Sequence, residues 1–301
     1  MTLYLNTKRQ YENYKELSQE KYFVDKSEII SIINENISTK SKYICVTRPR
    51  RFGKSSVADM LGAYYSKAID SKAIFDKLKI SKNDDYLEKL NKYNVISISF
   101  AEIDSNCSNC VEYIDRISNL LREDLKEKFP KANIDEKYTI WEVFSKLDEK
   151  FIFIFDEWDY IFNANIFEED QDKFLEFLMK LLKDKPYVAL AYMTGILPIK
   201  KYSSGSSLNM FDEFTILNDM IYGEYFGFTE EEVKMLCDKQ SSISFDEISS
   251  WYNGYLSEEG TRIYNPRSVI KALKNKKCKS YWTNTGAMDE VTNYFNDNKG
   301  Y

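Results

Sequence analysis

Two short groups of residues carry chemistry in this chain: Gly53-Lys54-Ser55, and Asp156-Glu157 about a hundred positions later. A glycine, a lysine and a hydroxyl in that order suit a phosphate site. The glycine lets backbone amides close on the anion, the ammonium reaches the outer phosphates and the hydroxyl can ligate Mg²⁺. Adjacent carboxylates supply the complement, Asp156 to hold the metal and Glu157 to take a proton from an attacking water. The chemistry expected is hydrolysis of a phosphoanhydride. Alone, either group is ordinary: a lysine at a helix start is commonly a surface residue, and an acidic pair after a strand is commonly a cap. Together they are far more specific.

The elements that must position these groups are legible. YICVT (43–47) is a short β-branched and aromatic strand, a turn spans 48–53, and 54–69 carries Val57, Leu61 and Tyr64 or Tyr65 at helical spacing. FIFIF (151–155) has the wholly apolar character of a central parallel strand, which would release Asp156 at the carboxyl end where such sheets bind ligands. NVISISFA (94–101) and YVALAYMT (187–194) read as strands and EFTIL (213–217) as a candidate fifth, with helices expected over about 23–36, 109–128 and 168–184. This alternation predicts an α/β fold of the P-loop NTPase kind, a parallel sheet flanked by helices. From 225 the pattern becomes mostly helical, opening on the capping box Thr229/Glu232, with turns at Asn253-Gly254 and Asn265-Pro266. We expect an ATPase core with an N-terminal helical segment over 1–224, and a smaller lid or accessory domain over 225–301.

Arg48 stands where the loop pattern has its first glycine, and Arg50 and Arg51 come after it. Phosphate orientation, pairing with an acid of the sheet edge, a partner contact and plain solvent exposure all stay open for these arginines. Arg50, Arg51, Phe52 and Ser56 complete the candidate nucleotide contacts of the loop. Thr194 leaves the strand expected beside the acidic one; it either senses the γ-phosphate and helps hold the water or simply ends the strand. Lys200 and Lys201 come shortly after. Asp159 either supports the acidic pair or caps the next stretch of chain, while Trp158 and Tyr160 read as packing. In the lid segment, Arg262 and Arg267 are candidates to offset transition-state charge, and Arg267 stands just after Asn265-Pro266 at an expected helix start.

Composition narrows the class. With 43% hydrophobic and 30% charged residues, and no apolar run near the roughly 18–20 residues of a membrane span, the chain reads as soluble with no membrane association. It has no apolar leader at the N-terminus, so cytoplasm is the expected location. A net charge of −6 argues against a surface given over to nucleic acid, although a local basic patch is compatible with it. The absence of histidine removes imidazole catalysis. Five cysteines, of which only Cys107 and Cys110 are closely spaced, fit neither a disulfide framework nor a zinc site and leave a redox role unsupported.

Taken in order, YFVDKS, TRPRRFGKSS, FIFIFDEWD, YMTGILPIKKYS, GFTEEEV, WYNGY and YNPRSVIKAL…YWTNTG make the chain resemble the AAA-ATPase-like family over nearly its whole length. That family is related to archaeal-type P-loop ATPases and to the signal-transducing ATPases with numerous domains. The resemblance implies ATP and Mg²⁺ as ligands and Lys54, Ser55, Asp156 and Glu157 as functional residues, and it makes Arg48 a family variant. It also implies that the stretch around Asp25 and Lys26 approaches the base or the phosphates, and that Asn209 anchors a serine-rich segment. Many members continue into a PD-(D/E)XK nuclease-like domain, for which this sequence offers no D…ExK arrangement.

The function expected is Mg²⁺-dependent ATP binding and hydrolysis driving a conformational or assembly switch, with a homo-oligomer or another protein as partner. The alternative is a nucleotide-sensing scaffold with little turnover, in defence or mobile-element biology. A nucleic-acid-processing ATPase is a third reading.

Overall fold

The computed structural model describes residues 2–202, 208–216, 218–252, 254–256 and 260–281. Five strands form the main sheet: β1 (Tyr43–Thr47), β2 (Asn94–Ser99), β3 (Phe151–Asp156), β4 (Val188–Gly195) and β5 (Asp212–Phe214). Their spatial order is β2-β3-β4-β1-β5 and every pairing is parallel.

Strand β3 shows why the apolar runs become central strands. Phe151, Phe153 and Phe155 pack on one face with Tyr113, Ile117 and Leu121 of helix Cys110–Lys128 and with Phe174 and Leu178 of helix Gln171–Leu182. Ile152 and Ile154, at the alternate positions, pack on the other face with Leu61 and Tyr64 of helix Lys54–Tyr65 and with Ile30 and Ile33 of helix Ile29–Asn34. A strand covered on both sides has no polar face to display. The parallel sheet flanked by helices is therefore the fold expected from the sequence.

The boundaries differ in detail. The helix expected over 23–36 is confined to Ile29–Asn34, because residues ahead of it run across the C-terminal region instead of coiling. Strand β5 is three residues long where five were expected, and Leu217 lies outside the described residues. Helix Cys110–Lys128 starts as predicted, with Asn109 accepting from the Glu112 amide at 3.0 Å.

The smaller C-terminal region holds helices Glu230–Asp238, Phe245–Trp251 and Pro266–Asn275. The capping box is present: Thr229 N–H donates to Glu232 Oε2 at 2.8 Å and Glu232 N–H to Thr229 Oγ1 at 3.3 Å. Not anticipated was an antiparallel sheet in the order β6-β8-β7, made of β6 (Phe228–Thr229), β7 (Tyr255–Leu256) and β8 (Arg262–Tyr264). Strands of two or three residues are too short for a two-residue period to show in sequence. This region has its own apolar cluster, including Val233, Leu236, Ile248 and Val269, and it is completed by Tyr22 and Val24 from the N-terminal segment. Among the described residues no helix is long and apolar enough to cross a membrane. Asn253, the serines at 203, 204, 206 and 207, and the YWTNTG block beyond Tyr281 lie outside the described residues.

Candidate functional site

Strand order alone brings the two chemical groups together. Strand β4 separates β1 from β3, so the loop leaving β1 and the acids leaving β3 flank Thr194 at the carboxyl end of β4. The loop needs two left-handed residues, Arg51 at φ 71° and Gly53 at φ 88°, to turn from β1 into the helix that Lys54 begins. Gly53 is required by that dihedral and not by crowding, since nothing lies within 4 Å of where its Cβ would stand. Arg51 carries the same conformation with a side chain, at a strain of order 1 kcal/mol.

Lys54 is buried, and its Nζ donates to the carbonyls of Arg48 at 2.9 Å and Pro49 at 3.1 Å. Burial lowers its pKa, and Asp156, Asp159 and Glu157 oppose that in decreasing order. Lys54 therefore shares one electrostatic environment with all three acids. Ser55, on the first turn of the helix, is exposed.

The acids divide their work. Asp156 Oδ1 accepts from the Thr194 hydroxyl and from the Glu157 amide at 3.1 Å, which leaves Oδ2 without a hydrogen bond among the described residues. Glu157 comes next at φ 51°, half-buried; burial raises its pKa, the adjacent Asp156 adds to the rise, and Lys54 opposes it. A carboxylate with a raised pKa is a better proton acceptor than an exposed one. Asp159 is buried and accepts from the amides of Ile196 at 2.8 Å and Leu197 at 3.1 Å, so it fixes the turn after β4.

The other predicted residues fall at different distances from this centre. Thr194 is fully buried and its hydroxyl is engaged by Asp156, so it orients an acid instead of facing outward. Arg50 is exposed and close enough to oppose the pKa rise of Glu157. Arg51 turns toward the C-terminal region, donating to the Tyr281 carbonyl at 3.5 Å. Arg267 is exposed at the start of helix Pro266–Asn275, and its field is felt at Arg51. Asp25 is taken up by backbone, accepting from Ser27 N–H at 2.8 Å and Lys79 N–H at 2.6 Å. Asn209 accepts from Lys183 at 2.9 Å.

A cavity of about 250 Å³ opens beside Gly53 and Ser56. Its walls come from three parts of the chain: Tyr22, Phe23 and Val24 of the N-terminal segment, Phe52 of the loop, and Phe228 and Ile270 of the C-terminal region. Lys26, of the stretch around Asp25 and Lys26, also lines it and is held by Glu232 at 2.6 Å and by the Glu224 carbonyl at 2.5 Å. Apart from Phe52, sequence spacing did not identify these walls, because an apolar side chain looks the same whether it lines a cavity or fills a core. The only local signal was the position of YFVDKS ahead of β1.

Arg48 does not face this site. Its guanidinium is buried against Asp219, donates to the carbonyls of Thr47 at 2.8 Å and Phe214 at 2.9 Å, and lies 5.1 Å from the centre of the Phe226 ring. Of the roles left open for it, the pairing with an acid at the sheet edge is the one the structure contains.

No curated protein matches the chain. Among solved structures it is similar to the Aeropyrum pernix ORC2 protein in its ADPNP–ADP complexes, at 10% identity, over 89% of this chain and 62% of that one, with a TM-score of 0.38. It is also similar to C. elegans PCH-2, at 12% identity, over 89% of this chain and 58% of that one, with a TM-score of 0.28. The chain thus spans about 60% of the length of either protein. A family model described as "Predicted AAA-ATPase" matches residues 10–204, well over half of the sequence, and the chain belongs to that AAA-ATPase-like family.

Proposed function

We propose that the chain binds Mg²⁺·ATP between the loop after β1 and the acids after β3 and hydrolyses it, as a switch acting on its own assembly or on a protein partner. The observation that carries the reading is the common electrostatic environment of Lys54, Asp156 and Glu157 at the carboxyl ends of neighbouring strands. The donor set fits the ligands: a helix N-terminus for phosphate, and the Ser55 hydroxyl and the second carboxylate oxygen of Asp156 for a hard cation. When bound, Mg²⁺ neutralises charge on the phosphates.

The chain's own residues do the rest. Gly53 admits backbone amides to the phosphates, and Lys54 leaves the Arg48 and Pro49 carbonyls for the outer phosphate oxygens. Thr194 holds Asp156 in register, and Glu157 accepts the proton of the attacking water through its side-chain carboxylate. Arg50 is the loop arginine nearest this chemistry. The cavity bounded by Phe23, Phe52, Phe228 and Ile270 takes the flat base, in keeping with the apolar walls and few polar groups of nucleotide pockets. Residues from about 225 onward serve as the lid, and the location proposed is cytoplasmic.

Phosphate release and ATP binding measured on the same preparations test this. Glu157→Gln should retain ATP binding and lose release by at least about 100-fold. Unchanged release contradicts Glu157 as the base. Binding without release in the parent chain favours the nucleotide-sensing reading instead, and light scattering with and without ATP then shows whether assembly is the output.

A further inference from the structure

The phosphate loop is held from a direction that its own pattern does not explain. Arg48, at the position where a glycine is usual, sends its guanidinium to the far edge of the sheet, where it meets Asp219, 171 residues away in sequence. The two side chains are 2% and 1% exposed. Nη1 of Arg48 donates to Thr47 O in β1 and Phe214 O in β5, so one side chain ties the start of the loop to both strands. Asp219 is fixed in turn by the amides of Ile221 at 2.9 Å and Tyr222 at 2.6 Å. The backbone of the same Arg48 carries the carbonyl on which Lys54 Nζ rests at 2.9 Å, and its N–H bonds Gly195 O at 3.1 Å.

We infer that Asp219, acting through Arg48, is a positioning residue of the phosphate site: it sets the path of the loop and thereby the starting place of the Lys54 ammonium. A glycine-initiated loop gains its shape from backbone freedom, whereas this loop gains it from a buried ion pair at its first residue. The inference rests on the proposed reading of the loop as a nucleotide site.

A buried ion pair can often be replaced by apolar residues of similar volume without loss of stability. Arg48→Met combined with Asp219→Asn therefore removes the ion pair while the amide oxygen still accepts from the Ile221 and Tyr222 amides. Calorimetric titration with Mg²⁺·ATP should show affinity reduced on the order of 10-fold or more, with a thermal midpoint close to that of the parent chain. Wild-type affinity in a folded double variant overturns the inference, since a merely structural bridge predicts that result.

Should the double variant fail to fold, Asp219→Asn carries the same test. The amide oxygen can still accept from Ile221 and Tyr222, and only the charge opposite Arg48 is lost. Asp219→Glu, which restores the charge, should recover part of the affinity lost in Asp219→Asn; equal affinity in all three chains overturns the inference. Absence of ATP binding in the parent chain is a different result and removes the functional reading itself.

Discussion

Asp159 and Glu157 are two residues apart and face opposite demands. Asp159 satisfies two buried amides after β4, so Asp159→Ala leaves Ile196 N–H and Leu197 N–H unpaired and should cost about 2–3 kcal/mol in urea unfolding. Glu157 is held half-buried next to another acid, which raises its pKa. Its contribution to stability is fully present below the usual carboxylate range and is lost as pH rises through the raised value. Glu157→Gln should therefore melt slightly above the parent chain at neutral pH, with the difference vanishing in acid. Phosphate release by the parent chain should rise with pH through that same raised value and then level off; an ordinary carboxylate midpoint in the pH profile contradicts the assignment. That these acids gather near Lys54 was readable from type and spacing. Their division was not, because which acid meets amides depends on the turn after β4.

Between core and C-terminal region the chain passes through Phe226 and Gly227, and the phosphate loop grips both. The Arg48 guanidinium lies over the Phe226 ring, and Gly227 N–H donates to Phe52 O at 3.0 Å. Phe52 is fully buried, with its ring edge-on to Tyr255 of β7 at 5.4 Å. Gly227 sits at φ 91°, and a Cβ there would run into Ile263 Cγ2 and approach Tyr264 O at 3.1 Å. Gly227→Ala should destabilise the protein by about 1–3 kcal/mol, measured as a lower thermal midpoint, because strain and overlap coincide. An unchanged midpoint would show that this junction is loose. The long elements were legible because burial on both faces writes itself as apolar runs, as in β3. The three-stranded sheet of the C-terminal region was not, since strands of two or three residues show no two-residue period.

At the scale of the whole molecule, three stretches far apart in sequence meet around one apolar cavity. The N-terminal segment contributes Tyr22 and Val24 both to the cavity and to the cluster of the C-terminal region, which explains why the helix expected over 23–36 does not form until Ile29. Glu20 and Lys274, also on the rim, pair at 2.8 Å and join the same two parts. If this cavity takes the base, Ile270→Asp should weaken ATP binding by about 10-fold by placing a charge against a buried ring. Loop residues should be unaffected, which hydrogen exchange over 48–56 can check. The most direct measurement is calorimetric titration of the full chain with Mg²⁺·ATP beside Lys54→Ala. The account predicts saturable binding by the parent chain and affinity reduced about 10- to 100-fold in the variant, the cost of a lost charge-assisted contact. Equal affinity in the two, or no binding by the folded parent chain, would contradict it.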